Sequence, residues 1–252
     1  MRKAMLLLAV LGSAGLLRAQ SPFGGTWTID LSQTRFPDKP QTAVLNNGAF
    51  QFPTCDPEIN MKAGGADRLA PGSKTCDTLA VKAVDGKTVA AACKKGGKVV
   101  ETGRRTVSAD GKTITLGATP YPGGNKQPVT LKETLVRVAA SGSWRTQRAN
   151  ASENTLTRAS KSTADGMMMT NPAGESFNAK FDGKGYPIKG NPNYTMVSLT
   201  KANNRSFDET VKRDGRILSV AHRTVSVDGK TMSVKVENKV QGTTGTLTEI
   251  KQ

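Results

Sequence analysis

An internal repeat is the feature of this sequence that most restricts what the chain can fold into. The segment Arg105–Thr113 recurs as Arg223–Thr231 with a single substitution. The same spacing aligns residues 48–116 with residues 166–234 without a gap. Because agreement over such a length at one spacing is not expected by chance, we predict two homologous units that arose by duplication.

The two units, residues 21–139 and 140–252, both consist of short runs rich in Val, Thr, Ile and Leu. Asp-Gly steps separate several of these runs, for example at Asp110-Gly111 and Asp228-Gly229, and this dipeptide is typical of β-hairpins. We therefore predict an all-β chain with two tandem antiparallel β-barrels, one in each unit. A single large barrel or sandwich shared by both units is the alternative.

The N-terminal residues 1–19 have the organisation of a secretory signal peptide. Arg2 and Lys3 precede the apolar run Met5–Leu11, and Ala19 offers a small residue for cleavage. The apolar run is shorter than the roughly 20 residues of a membrane-spanning helix. We expect a secreted or periplasmic protein without a transmembrane segment in the mature chain.

Composition excludes several kinds of site. The chain has 36 Lys and Arg against 20 Asp and Glu, a net charge of +16, with one His, three Cys and 5% aromatics. These counts cannot supply a poly-His or four-cysteine metal site, and aromatics are too few for base stacking. We expect no cofactor, metal or specific nucleic-acid partner, and we interpret Met167–Met169 as strand filling. A basic surface that binds anionic envelope polymers is an alternative function.

Sequence motifs of enzymes are missing as well. The chain has no Gly-x-Ser-x-Gly elbow, His-Glu-x-x-His pair, phosphate loop or dinucleotide fingerprint. The single histidine, His222, stands beside no acid in the sequence, and we interpret it as a solvated strand residue. We predict that the protein is not an enzyme.

Two short motifs carry a family resemblance. Gly25-Thr-Trp27 and Gly142-Ser-Trp144 resemble the first strand of the lipocalin and fatty-acid-binding (calycin) families. The tandem layout is also similar to that of secreted bacterial proteins, which implies no activity. The calycin resemblance implies that Trp27 and Trp144 each pack across the closed bottom of a barrel, near a cation from a late strand. It suggests Arg137 for the first unit and Lys251 for the second.

Arg105 and Arg223 are the candidate ligand-binding residues. Each lies in a strand whose alternation places it on the inward face beside small residues such as Gly103 and Ala221. A buried arginine needs an anionic or carbonyl partner. This predicts non-catalytic binding of a small, mostly apolar ligand, an acidic one being an option. The alternatives are an internal pair with an acid such as Glu101, or a place at the barrel rim.

The cysteines can be partly sorted by register. A hairpin at Asp85-Gly-Lys87 would place Leu79 opposite Cys93, and strand alternation then puts Cys76 on the other face. We therefore predict a Cys55–Cys76 disulfide in an oxidising compartment. Cys93 would remain a buried thiol.

Overall fold

The computed structural model describes residues 21–121, 130–139, 142–152 and 156–252. The predicted signal peptide therefore lies outside the described residues. All twenty-one regular elements in the described residues are β-strands, which confirms the all-β fold class. Within the same ranges, no helix is long and apolar enough to cross a membrane.

The strands follow one another closely along both units. In the first unit they are β1 (Gly25–Arg35), β2 (Gln41–Thr42), β3 (Val44–Asn46), β4 (Ala49–Phe52), β5 (Ile59–Lys62), β6 (Gly64–Leu69), β7 (Thr78–Ala83), β8 (Thr88–Lys95), β9 (Lys98–Val107), β10 (Thr113–Pro120) and β11 (Leu131–Ala139). In the second unit they are β12 (Ser143–Ala151), β13 (Thr157–Ser162), β14 (Gly166–Thr170), β15 (Ser176–Lys180), β16 (Asp182–Pro187), β17 (Met196–Asn203), β18 (Ser206–Arg213), β19 (Arg216–Val225), β20 (Thr231–Asn238) and β21 (Thr243–Lys251).

One sheet is a nearly closed barrel. Its ten strands run in the order β15-β14-β13-β1-β21-β20-β19-β18-β17-β16. An antiparallel bridge between Ser176 and Lys189 joins the two edges, with backbone N–H···O distances of 2.8 and 3.0 Å. Closing a sheet in this way removes the unpaired edges that would otherwise attract other chains.

The other large sheet ends at β2 and β6. Its eight strands run in the order β2-β12-β11-β10-β9-β8-β7-β6, and β3, β4 and β5 form a smaller sheet. Ala43 and Ala63 link the two sheets, because Ala43 N–H donates to Gly142 O at 3.2 Å and Ala83 N–H donates to Ala63 O at 2.9 Å. Phe50 from the small sheet packs in one buried cluster with Val81 from the large one. The structure thus contains one nearly closed sheet and one eight-stranded sheet with a smaller companion, so the finer prediction of two tandem barrels stays a prediction.

The first strands of the two units are exchanged. β1 lies between β13 and β21 of the ten-stranded sheet, whereas β12 lies between β11 and β2 of the eight-stranded sheet. Each sheet therefore takes its Gly-x-Trp strand from the other half of the chain. The sequence units 21–139 and 140–252 describe the repeat, but the sheets do not follow the boundary between them.

The exchange decides where the two tryptophans lie. Trp27 is fully buried in the core of the ten-stranded sheet, and its Nε1 donates to the carbonyl of Phe23 at 3.1 Å. Trp144 is buried in the eight-stranded sheet with Ile114 and Leu135. Each tryptophan is thus a core residue of the sheet built mainly from the other unit.

Each tryptophan ring lies against a cation from a late strand, as the calycin resemblance implies, but the partners are swapped. The Arg137 Cζ lies 4.7 Å from the centroid of the Trp144 ring, and the Lys251 Nζ lies 5.4 Å from that of Trp27. The expectation that each cation serves the tryptophan of its own unit is wrong, because the strands that carry the tryptophans are exchanged.

The predicted hairpin register is confirmed, but the predicted disulfide is wrong. Leu79 pairs with Cys93. Cys76 is bonded to Cys93, with Cα atoms 5.5 Å apart, and Cys55 is a free thiol. The physical reason is that β7 begins only at Thr78. Cys76 belongs to the preceding loop, so strand alternation does not fix the direction of its side chain.

Candidate functional site

In the ten-stranded sheet, Arg223 is part of a buried cluster of four charged side chains, which we call the ion cluster. Its Nη1 donates to Glu249 Oε1 at 2.8 Å, and its Nε lies 3.2 Å from Glu209 Oε2. Arg158 completes the cluster, with its Nε 3.0 Å from Glu249 Oε2 and its Nη1 3.6 Å from Glu209 Oε2. Two positive and two negative charges balance one another inside the protein.

In the ion cluster, opposite charges outweigh burial for Arg223 and Glu209, whereas burial and the charge of Arg223 lower the pKa of Arg158. Burial alone would lower the pKa of Arg223, but the carboxylates of Glu209 and Glu249 outweigh burial and raise it. Burial would likewise raise the pKa of Glu209, but Arg223 and Arg158 outweigh burial and lower it. The expectation that Arg223 is available to a ligand is therefore wrong. Its alternative, an internal pair with an acid, describes Arg223, although the acids are Glu209 and Glu249.

The eight-stranded sheet contains the same four positions, and strand pairing identifies them. Arg105 is equivalent to Arg223, because they pair with Leu116 and Val234, and Ala91 is equivalent to Glu209, because they pair with Gly103 and Ala221. Leu135 is equivalent to Glu249, because they pair with Ile114 and Met232. Gln41 is equivalent to Arg158, because they pair with Trp144 and Trp27. The arginine is kept, whereas both carboxylates and the second arginine are replaced by uncharged residues.

Arg105 consequently has a different environment from Arg223. Its Nη2 donates to Gln41 Oε1 at 3.0 Å, and its Cζ lies 4.3 Å from the centroid of the Phe52 ring. Its Nη1 is buried and has no hydrogen-bond partner within the described residues. Burial lowers the pKa of Arg105 to about 10, so the side chain remains a cation at neutral pH.

Glu133 is an acid near Arg105 that attracts it without touching it. It pairs across the sheet with Leu116, the residue that also pairs with Arg105. The carboxylate accepts a hydrogen bond from Thr146 Oγ1 at 3.3 Å. Burial raises the pKa of Glu133, and the hydrogen bond from Thr146 and the charge of Arg105 oppose that shift. The part of the chain that the structure describes offers no carboxylate in direct contact with Arg105.

A cavity of about 710 Å³ comes near Arg105 through Phe52, although Arg105 itself is not part of the cavity wall. Phe52 is part of the cavity wall, and Arg105 lies against one side of the Phe52 ring. The wall also includes Ile59, Met61 and Leu79 from the first unit and Tyr194 from the second. A volume of this size is typical of sites for small molecules.

Glu101, on β9, is one of three acids in the cavity wall, together with Asp56 and Glu58. It does not pair with Arg105, so the alternative of an internal Arg105–Glu101 pair is not what the structure contains. Burial raises the pKa of the Glu101 carboxyl, and no hydrogen bond or ion pair holds it among the described residues. Alternation in the sequence predicts that Glu101 lies on the inward face of its strand, but only the structure shows that it lines the cavity.

His222 has acidic neighbours in the structure that are distant from it in the sequence. Its Nδ1 lies 2.7 Å from Asp208 Oδ1, and its Nε2 lies 3.6 Å from Glu237 Oε1. Asp208 comes from β18 and Glu237 from β20, the strands on either side of β19, so neither acid is close to His222 in sequence. The side chains of His222 and Asp208 are 42% and 41% exposed, in agreement with a solvated position, and Glu237 is 26% exposed.

The methionine run Met167–Met169 serves the core. Met167 and Met169 are buried in the ten-stranded sheet, whereas Met168 points to the surface. Over the described ranges, no three His, Cys, Asp or Glu side chains are grouped so that they could hold a metal ion.

Comparisons with family models, with curated proteins and with solved structures gave no match for this chain. The candidate site therefore stands on the geometry of Arg105, the adjoining cavity and the ion cluster of the other sheet.

Proposed function

We propose that this chain is an exported, non-catalytic binding protein for a small, mostly apolar ligand that carries an acidic group. The Arg105 guanidinium binds the acid, and the cavity beside Phe52 takes the apolar body. The observation that carries the proposal is the contrast between two equivalent arginines. Arg223 has two carboxylate partners, whereas Arg105 has none in contact with it.

The contrast supports an anionic ligand for a physical reason. A buried cation without a partner loses its hydration and gains little in return. Hydrogen bonds to charged groups contribute about 1.5–3 kcal/mol each, and a planar guanidinium can offer two of them to one carboxylate. A ligand acid placed above Ala91 would occupy the position that Glu209 fills in the other sheet.

The cavity suits the rest of such a ligand. Ile59, Met61 and Leu79 form an apolar part of its wall, beside charged residues such as Asp56 and Arg213, and burial of apolar ligand surface against the apolar part contributes about 25 cal/mol per Å². Ligand sites commonly combine apolar walls of this kind with a few placed polar groups.

Two observations bear on export and on the alternative function. The Cys76–Cys93 disulfide supports an oxidising compartment, as expected for a secreted or periplasmic protein. The alternative, a structural or adhesive envelope protein that binds anionic polymers, rests on the excess of Lys and Arg over Asp and Glu in the chain.

The proposal is tested by restoring the missing carboxylate. In the Ala91→Glu variant, the new acid is expected to pair with Arg105 as Glu209 pairs with Arg223. Binding of decanoate, measured by isothermal titration calorimetry, is then expected to weaken at least tenfold, the equivalent of one charged hydrogen bond. Thermal stability is expected to be kept or raised, because a buried cation gains a partner.

The Ala91→Gln variant is the matched control, since it has the same size without the charge. It is expected to retain more decanoate binding than Ala91→Glu at the same pH. Equal binding by both variants, or no binding by the original chain, would overturn the proposal that Arg105 holds an acid.

A further inference from the structure

Exposed cations form a line across the outer face of the eight-stranded sheet. Cross-strand pairing from β7 to β12 gives the residues of this line, which we call the outer row: Lys82, Ala90, Arg104, Gly117, Lys132 and Asn150. The row faces outward because Arg104 precedes the inward Arg105, and successive side chains of a strand point to opposite faces. Its Lys and Arg residues are exposed, and they lie on alternate strands with a small residue between them.

The cations of the outer row have no ion partner among the described residues. Asp67, on the edge strand β6, pairs with Lys94 instead, with its Oδ2 2.7 Å from the Lys94 Nζ. Asp85, in the turn after β7, accepts a hydrogen bond from the N–H of Lys87 at 2.7 Å. That bond lowers the pKa of Asp85 more than the charge of Arg104 does. The positive charge of the outer row is therefore available to a partner.

The equivalent row of the ten-stranded sheet contains an acid. In the same order, strand pairing gives Thr200, Asp208, His222, Lys235 and Thr246. Asp208 takes the place of Ala90, and its Oδ1 lies 2.7 Å from His222 Nδ1. Lys235 takes the place of Gly117, and its Nζ lies 3.2 Å from Glu237 Oε1. The two sheets share a scaffold, but only the outer row presents cations that are not paired within the protein.

The spacing of the cations indicates the kind of partner. Neighbouring strands lie about 4.8 Å apart, so cations on alternate strands recur about every 10 Å. A linear polysaccharide with an acid on every second sugar carries its charges at a similar interval. Phosphates recur about every 3.4 Å along a strand of duplex DNA, so most of them would have no cation opposite.

The surroundings of the outer row also favour a polysaccharide. Thr106, Thr115 and Thr134 pair with one another in the neighbouring row on the same face, and their hydroxyl groups can form hydrogen bonds with sugars. Neither this row nor the outer row contains an aromatic side chain on which a base could stack.

We propose that the outer row binds a linear anionic polysaccharide with one carboxylate in each disaccharide. Successive carboxylates bind Lys82, Arg104 and Lys132, and the small residues Ala90 and Gly117 let the polymer lie close to the sheet. The surface lies on the opposite face of the sheet from Arg105, so it is separate from the proposed small-ligand site and does not depend on it.

The test measures binding of a labelled hyaluronan decasaccharide, a probe with this charge spacing, by fluorescence anisotropy at low ionic strength on the full chain. Ala90→Asp is expected to weaken binding about fivefold, the equivalent of one exposed ion pair, because the new acid pairs with Arg104 as Asp208 pairs with His222. Ala90→Asn has the same size without the charge and is expected to stay within about twofold of the original chain.

A second pair of variants separates the outer row from net charge. The row variant, with glutamine at all three cations, is expected to weaken binding about tenfold or more. The charge control replaces exposed lysines of the ten-stranded sheet by glutamine, namely Lys161, Lys180 and Lys201. It is expected to change binding less than about twofold. Circular dichroism verifies that the variants fold.

Three results would overturn the inference. The first is no binding of hyaluronan by the original chain. The second is an equal loss in the row variant and the charge control, since net charge would then be the cause. The third is tighter binding of oligothymidylate or of phosphatidylglycerol vesicles than of hyaluronan, lost in the row variant, which would assign the outer row to a nucleic acid or a membrane.

Discussion

Replacement of Trp27 by alanine is expected to destabilise the sheet formed by the second half of the chain. Trp27 lies near the N-terminus, yet its side chain is fully buried among residues of the ten-stranded sheet. Truncation of a buried tryptophan costs about 3–5 kcal/mol, a large part of the 5–15 kcal/mol that holds a typical domain together. Amide hydrogen exchange is expected to quicken over β17 to β21.

Trp144→Ala is the matched control, because Trp144 occupies the equivalent strand in the other sheet. It is expected to quicken exchange over β9 to β11, within the first half of the chain. If each variant instead loosened the half to which it belongs in sequence, the exchanged arrangement of β1 and β12 would be wrong.

Loss of one carboxylate from the ion cluster is the second large expected effect. Glu209→Ala leaves two buried guanidiniums, Arg158 and Arg223, with Glu249 as their remaining acid in the cluster. Breaking a buried ion pair in this way costs about 3–5 kcal/mol. The free energy of unfolding in urea at pH 7 is expected to fall by that amount.

A double variant shows whether charge balance is the cause. Glu209→Ala combined with Arg158→Gln leaves one arginine and one glutamate in the ion cluster. The two new residues match Ala91 and Gln41, which occupy the equivalent positions of the eight-stranded sheet. It is expected to recover part of the lost stability. If the double variant were less stable than Glu209→Ala, packing rather than charge would explain the loss.

The pH dependence of the same comparison follows from the lowered pKa of Glu209. Burial opposes this shift, but Arg223 and Arg158 outweigh it. The unfolded chain has a Glu pKa of about 4.3, so the contribution of Glu209 is fully present above that pH. It is lost as the pH falls through the lower folded pKa. The stability difference between the original chain and Glu209→Ala is therefore expected to shrink in acid.

Much of the local structure could be predicted from the sequence. Alternation and turn residues predict the all-β class and the Leu79–Cys93 register, because these depend on nearby residues. Strand β6 has no such signal, because its residues are exposed throughout and show no apolar alternation. The predicted Cys55–Cys76 disulfide is wrong for a related reason. Cys76 lies just outside β7, so the alternation of that strand does not apply to it.

The exchange of β1 and β12 was beyond the reach of pattern reasoning. Two similar units offer nearly equivalent places for a Gly-x-Trp strand, and the sequence repeat alone does not say which unit receives it. The candidate site was half predicted, because alternation identified the inward arginines. The difference between Arg105 and Arg223 depends on Glu249 and Gln41, which only the folded sheets bring beside them.

The central claim is that Arg105 holds the acid of a bound ligand. Native mass spectrometry of the exported protein, before and after organic extraction, tests it most directly. We expect an additional mass that extraction removes, that corresponds to an organic acid, and that is absent from Ala91→Glu. A bare protein mass before extraction, or the same additional mass on Ala91→Glu, would contradict the claim.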